Sequence, residues 1–337
     1  MDRINRQLRL ASRPAGLVED GTFELVETPV PELEDGQALV QMAYLSIDPT
    51  NRVWISDEPS YLPPVGIGEV MRSGGAGTVV ESRNDAYPVG ATVTGLLGWQ
   101  EYAVVGTDTL GHVVPDGVPI TSVLNALGSS GMTAYFGMTD IAQTKEGDVI
   151  VVSGAAGSVG SLAGQIGKIL GGHVIGIAGT DEKCRWVTDD LGFDACINYK
   201  TENVPARLDE LCPDGIDVYF DNVGGAILDA ALARLSLNAR VAVCGTIASY
   251  NADVPDAVHN YGKLVSTRSR MEGFLVLDYL DRFPEGQAKI IEWVIEGRLH
   301  AREQIVDGLE NAPKALNMLF EGANTGKLLV KVDPNAA

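Results

Sequence analysis

Residues 148–183 read DVIVVSGAAGSVGSLAGQIGKILGGHVIGIAGTDEK, and their pattern decides the fold. The run 149–152 is short, apolar and β-branched, as expected of a strand buried on both faces of a parallel sheet. Gly154, Gly157 and Gly160 follow at even spacing. Residues 161–170, rich in Ala, Leu, Ile, Gln and Lys, predict a helix that Gly171 and Gly172 stop. Residues 173–178 predict a second strand. Strand, glycine turn, helix and strand within about 30 residues make a βαβ unit of the kind that holds a dinucleotide pyrophosphate.

The turn has a physical logic. Glycine lets the backbone turn tightly and lets phosphate approach without a Cβ in the way. The first N–H groups and the positive dipole end of the following helix then meet the anion. A glycine triplet says little by itself in a chain with 39 glycines. Its place between a strand and a helix gives it meaning, against the plainer reading of glycines that only permit close packing.

The end of the second strand bears on which dinucleotide binds. A site for NAD places an acidic residue about 20 residues after the motif, on the ribose 2′-hydroxyl. Here the stretch is Gly179-Thr180-Asp181-Glu182-Lys183. Gly179 leaves room, while Thr180 and Lys183 can bond and neutralise a 2′-phosphate. Asp181 is the contrary residue. It is accounted for if Thr180 caps a helix whose first turn holds Asp181 and Glu182, where the dipole favours them. The stretch favours NADP over NAD.

At 337 residues the chain accommodates two domains. Its hydrophobic content of 45% and charged content of 21% are those of a globular protein. No apolar run reaches the ~18 residues of a membrane span, and the N-terminus lacks the apolar core of a signal peptide. A cytoplasmic protein is expected. The net charge of −20 argues against nucleic acid and anionic membrane as partners, both of which require clustered positive charge. Cys184, Cys196, Cys212 and Cys244 are widely spaced, without the pattern of a disulfide framework or a zinc cluster.

Residues 1 to about 120 predict short strands at 23–26, 38–46, 77–81, 92–97 and 100–105, with proline and glycine punctuation between them. That texture predicts a β-barrel-like domain. Residues 122–142 turn helical and open the second domain. From Asp148 onward strands and helices alternate, with strands at 217–220, 240–244 and 274–277 and helices at 226–235 and 285–296. Strand ends followed by Gly and Asn, as at Asn222 and Gly245, lie where ligands bind in parallel sheets. The expected division is 1–121, 122–299 and a tail, 300–337, returning to the first domain.

Four segments carry a family resemblance: YLPPVGIGEVMR at 61–72, the turn at 154–160, CGTIASYN at 244–251 and REQIVDGLEN at 302–311. Together they resemble the zinc-independent medium-chain dehydrogenase/reductase superfamily, in its group of prostaglandin, curcumin and alkenal double-bond reductases. The resemblance spans nearly the whole chain. It implies a Rossmann doubly wound parallel sheet beside a GroES-like β-barrel substrate domain, an α/β protein that forms homodimers. Zinc-dependent relatives place a Gly-His-Glu segment ahead of a Gly-x-Val-Val. Here Arg72-Ser73-Gly74-Gly75-Ala76 precede Gly77, without a histidine, and the first domain has no cysteine. No metal is expected, and alcohol oxidation through a metal alkoxide loses its usual route.

The family's chemistry is hydride delivery from NADPH to the β-carbon of an α,β-unsaturated ketone or aldehyde, then protonation of the enolate. A hydroxyl bonding the carbonyl oxygen more strongly as charge develops lowers the barrier, and neutral tyrosine can supply it. The candidates are Tyr250 and Tyr61. By resemblance, Gly157, Ser158, Val159, Gly160 and Ser161 hold pyrophosphate. Thr180, Lys183 and Tyr199 hold the 2′-phosphate, with the tyrosine ring along the adenosine. Asn222, Cys244, Gly245, Thr246, Ile247 and Tyr250 lie beside the cofactor. Phe274, Leu275 and Val276 present backbone to the nicotinamide amide, and Asn324 approaches from the tail. One departure stands out. The family's Asp-Pro-Tyr-Met-Arg is here Asp48-Pro49-Thr50-Asn51-Arg52. Thr50 and Asn51 therefore imply a more polar substrate pocket, of which Tyr61 is also expected to be part. The other readings are a quinone reductase using the same cofactor, and an NADPH-binding protein without turnover.

Overall fold

The structure, a computed structural model, describes residues 3–106, 111–254 and 256–336. In chain order, the first strands are β1 (Ile4–Leu10), β2 (Phe23–Pro29) and β3 (Ala38–Ile47). After α1 (Thr50–Trp54) come β4 (Gly75–Ser82), β5 (Thr92–Gly95), β6 (Tyr102–Val105) and β7 (Gly111–Val113). Two helices, α2 (Ile120–Val123) and α3 (Ser129–Phe136), lead to β8 (Val149–Ser153), α4 (Ser158–Ile169) and β9 (His173–Ala178). Then come α5 (Asp181–Arg185), β10 (Ala195–Asn198), α6 (Val204–Leu211), β11 (Ile216–Asp221), α7 (Gly225–Ala233) and β12 (Leu235–Val243). The chain continues through α8 (Lys263–Thr267), β13 (Arg270–Gly273), α9 (Phe283–Ile295), β14 (Glu303–Asp307), α10 (Ala312–Glu321) and β15 (Lys327–Lys331). It divides into two compact units, Met1–Leu124 with Glu303–Ala337, and Asn125–Arg302.

In the unit Asn125–Arg302 the six strands run in the order β10-β9-β8-β11-β12-β13, every neighbouring pair parallel. The order reverses direction between β8 and β11, the switch point where a doubly wound sheet leaves room for a ligand. β8 is the central strand because residues 150–153 are buried on both faces, as its unbroken apolar run requires. α4 packs back on β8 and β9. Gly160 makes that possible, since a Cβ there would lie 2.2 Å from the Gly154 carbonyl oxygen.

In the other unit, β3 is the long strand around which the sheet forms. Its first half pairs with β6, its second half with β15, and β4 runs along its other side. The sheet order is β14-β15-β3-β4-β5-β7, and β1 and β2 form a separate antiparallel pair. Leu10, Leu45, Met42, Val93 and Trp99 are among the side chains buried in its core.

Three expectations shift. The expected strand at 274–277 lies earlier, at β13, and Val276–Arg282 is a 3-10 helix. The reason is the partner strand. β12 stops at Val243 because the N–H groups of Cys244 and Gly245 both turn to the Asp221 carbonyl, so nothing remains to pair beyond Gly273. The helical stretch at 122–142 is α2, α3 and a π-helical turn at Gly137–Ile141, not one helix. β12 begins at Leu235, where a helix was expected. Asn238 takes φ +62° there, and the register against β11 shifts between Ile216 and Val218.

Candidate functional site

Six chain segments leave the carboxyl ends of the six parallel strands side by side, and the expected cofactor residues of this unit lie on them. Tyr199 follows β10, Thr180 and Lys183 follow β9, and residues 154–161 follow β8. Asn222 follows β11, residues 244–250 follow β12, and Phe274, Leu275 and Val276 follow β13.

The turn after β8 is fixed by backbone. Gly154 takes φ +60°, Ala155 N–H reaches the Ile177 carbonyl at 3.0 Å, and Gly157 N–H returns to the Gly154 carbonyl at 2.9 Å. Gly157 is the N-cap of α4, and no side chain caps that helix. The Ser158 hydroxyl is turned to Asn125 Oδ1 at 3.0 Å and the Ser161 hydroxyl to the Ser158 carbonyl. The first turn of a 12-residue helix therefore presents peptide N–H groups rather than a carboxylate, which suits an anionic ligand.

Across the switch point the ends of β8 and β11 are joined by a polar knot. Ser153 Oγ donates to Asp221 Oδ1 at 2.9 Å, and Asn222 N–H donates to Ser153 Oγ at 2.9 Å. Asn222 Nδ2 donates to the Ser153 carbonyl at 2.7 Å. The Asp221 carboxylate is fully buried and also accepts from the Tyr219 hydroxyl and from the N–H groups of Val223 and Gly224. Asn222 thus spends its amide on the scaffold. Ser153 and Asp221, which the sequence reading passed over, are the residues that hold the two strand ends together.

After β9, Thr180 Oγ1 accepts from Lys183 N–H at 3.2 Å and caps α5. The Asp181 carboxylate accepts from Asn198 Nδ2 at 2.6 Å and so faces β10. The Tyr199 ring lies over Gly179, where a Cβ would fall 3.1 Å from ring and hydroxyl alike. Partial burial and the neighbouring Lys200 ammonium push the Lys183 amine below its ordinary range. Two cations held near one another mark a place for multiple negative charge. Lys200 is a residue the sequence reading did not assign.

After β12, the Tyr250 hydroxyl folds back on its own loop and accepts from Thr246 N–H at 3.3 Å, beside Gly245. Ile247 N–H reaches the Asn222 carbonyl. The Cys244 thiol is pushed up to about 12 by burial and by Asp221, which makes it an inert neighbour. The Phe274 ring meets Phe220 edge-on, with centroids 6.3 Å apart.

In the unit Met1–Leu124 with Glu303–Ala337, Tyr61 is 42% exposed and its hydroxyl shares a hydrogen bond with that of Thr50. Partial burial raises its phenol above the ordinary value. Asn51 does not line a pocket: it is 1% exposed, its Oδ1 accepting from Asp48 N–H at 2.8 Å and its Nδ2 donating to the Arg72 carbonyl at 3.0 Å. An asparagine that satisfies its own turn is buried by it. The Lys327 ammonium, also 1% exposed, pairs with the Asp48 carboxylate, which in turn accepts from the Ser46 hydroxyl. Asn324 is buried and donates to the Gly326 carbonyl at 3.1 Å. Among the described residues, no group of three or more His, Cys, Asp or Glu side chains is placed to hold a metal ion. No described helix is long and apolar enough to cross a membrane.

Comparison with known proteins adds the following. Residues 6–113 match the family described as the N-terminal domain of oxidoreductase, and residues 158–293 match zinc-binding dehydrogenase. The NADPH-dependent curcumin reductase of Escherichia coli is 43% identical, over 97% of both chains. The NADP-dependent 2-alkenal reductase of Nicotiana tabacum is 38% identical, again over 97% of both. The crystal structure of CurA from Vibrio vulnificus in complex with NADPH superposes with a TM-score of 0.93 at 42% identity, covering 97% of this chain and 99% of that one.

Proposed function

This chain belongs to the medium-chain dehydrogenase/reductase superfamily, in its group of curcumin, alkenal and prostaglandin reductases, and we propose that it reduces the carbon–carbon double bond of α,β-unsaturated ketones or aldehydes with NADPH. The observation that carries the reading is the uncapped N-terminus of α4 at the switch point, with Lys183, Lys200 and Tyr199 on the two neighbouring strand ends. The residues fit the cofactor. Gly154 takes the positive φ of the tight turn, Gly160 lets the first turn of α4 close against it, and Gly179 leaves the face on which Tyr199 lies. Asp181 is occupied by Asn198, which supports a 2′-phosphate rather than a bare ribose there.

Bound NADPH supplies the hydride that goes to the β-carbon. The N–H groups of residues 158–160 would hold the pyrophosphate, with the dipole of α4 favouring its charge. Lys183, Thr180 and Tyr199 would hold the 2′-phosphate end. Residues 244–247 and the backbone of Phe274, Leu275 and Val276 would flank the nicotinamide end, and Asn324 would approach from the tail. Tyr250 and Tyr61 are the candidate hydroxyls for the carbonyl oxygen. A neutral tyrosine hydroxyl strengthens its bond as the oxygen gains charge, which lowers the barrier. At Tyr250 the contact with Thr246 N–H uses an oxygen lone pair rather than the hydroxyl proton. Thr50 sets the direction of the Tyr61 hydroxyl, and Asn51 holds the turn beneath both.

Oxidation of NADPH and NADH against enones, alkenals and quinones, with product identification, tests this. Saturated carbonyl product with NADPH preferred is the expected result. Hydroquinone as the only product, or cofactor binding without turnover, overturns it. We further infer a cytoplasmic homodimer. Four free cysteines suit a reducing compartment, and the exposed edge strand β13 is a surface for pairing with a second copy. Light scattering at dilute and concentrated protein, and cell fractionation, test the two statements.

A further inference from the structure

Two thiols meet beside the groups assigned to the 2′-phosphate. Cys184 sits on α5 directly after Lys183, and Cys196 sits on β10 three residues before Tyr199. Their side chains are hydrogen-bonded to one another where α5 packs on β10. The Asp181–Asn198 bond ties the same helix to the same strand, so the spacing across the sulfur pair is held by a second, independent link. Gly176 on β9 keeps the far side of Cys196 clear, since a Cβ there would lie 3.2 Å from its Sγ. Both cysteines are half-buried and reduced, whereas Cys212 is fully buried.

We propose that Cys184 and Cys196 are a peroxide-sensitive dithiol that closes to a disulfide and so weakens NADPH binding at Lys183 and Tyr199. The effect on the cofactor rests on the 2′-phosphate reading given above; formation of the bond does not.

The contact makes the two thiols unequal. Bonding to Cys196 lowers the pKa of Cys184, while that bond and burial raise the pKa of Cys196. Cys184, the less buried of the two, is the thiol that peroxide reaches, and as thiolate it attacks; Cys196 resolves. Cys184 sulfur bonds to one oxygen of hydrogen peroxide, the O–O bond breaks, and the departing hydroxide takes a proton to become water. The product is a sulfenic acid. Cys196 sulfur, giving up its proton, then bonds to the oxidised sulfur. The S–O bond breaks, and hydroxide leaves with that proton as a second water. Two thiols and one peroxide thus give one disulfide and two waters, with the thiols supplying both electrons. A thiol reductant reverses the change. Closing the bond shortens a hydrogen-bond separation to about 2 Å and draws α5 toward β10. Lys183 moves with its neighbour.

The test treats the full-length protein with hydrogen peroxide, alkylates the remaining thiols in denaturant, and maps peptides by mass. The expected result is a linked peptide pair containing Cys184 and Cys196, lighter by two hydrogens, with Cys212 and Cys244 alkylated. The KM for NADPH rises several-fold, kcat at saturating NADPH holds, and dithiothreitol restores the starting values. Cys184→Ser and Cys196→Ser each abolish the linked peptide and the response. Absence of the linked peptide overturns the proposal. A linked peptide with unchanged KM for NADPH overturns the coupling to the cofactor. If Lys183→Ala then affects NADPH and NADH alike, the failure lies with the 2′-phosphate reading, because the linked peptide is scored without any cofactor.

Discussion

The ring of Tyr199 rests on the backbone of Gly179, close enough that any side chain at residue 179 would lie 3.1 Å from ring and hydroxyl. The strand ends of β9 and β10 thereby make one surface, a glycine floor under an aromatic wall. Gly179→Ala should tilt the ring and cost NADPH several-fold in affinity, in line with the about 0.5–1.5 kcal/mol of an aromatic contact. The melting temperature should barely change, because Tyr199 is on the surface. Fluorescence titration with NADPH checks it; an unchanged dissociation constant would remove the ring from the site.

Lys183 should be the residue that separates the two nicotinamide cofactors. A hydrogen bond to a charged group contributes about 1.5–3 kcal/mol, so Lys183→Ala should raise the KM for NADPH about tenfold or more and leave NADH nearly untouched. The pH dependence has a definite sign. The amine is held below its ordinary value of 10.5, so its charge is lost as pH rises through a value lower than that. The KM for NADPH should climb on the alkaline side in the wild type. That climb should be absent for NADH and in the Lys183→Ala variant.

Tyr250→Phe and Tyr61→Phe address the carbonyl oxygen. Loss of one such donor typically costs about 100- to 1000-fold in kcat. We expect that loss in kcat, with little change in KM for NADPH, for whichever tyrosine bonds the oxygen. A fall in KM-side affinity alone would assign the hydroxyl to binding. Wild-type kcat in both variants would exclude both residues.

Lys327 and Asp48 make an asymmetric pair, one partner 1% exposed and the other 26% by side chain. Asp48→Ala leaves an ammonium buried without its counter-charge, which should cost about 3 kcal/mol or more in urea unfolding. Lys327→Met replaces the charge with an apolar chain of similar length and leaves Asp48 partly in water with Ser46, so its cost should be smaller. Equal costs would contradict the burial asymmetry.

The sequence by itself determined the βαβ unit, because an unbroken β-branched run, glycines and a helix-forming stretch are local patterns. Strand 173–178 coincides with β9 for that reason. The family segments likewise carried the reaction class. Tertiary structure decided what depends on pairing across distance. β13 sits at Arg270–Gly273 because its partner β12 turns away after Val243, a fact written in the Asp221 carbonyl rather than in residues 274–277. Asn51 has the composition of a polar pocket residue, yet its turn buries it. The knot of Ser153, Asp221 and Asn222 joins residues almost 70 apart, and Cys184 meets Cys196 only once α5 lies on β10. Period and composition report what each segment forms; which side chains then meet is set by strand order and register, which no single segment contains.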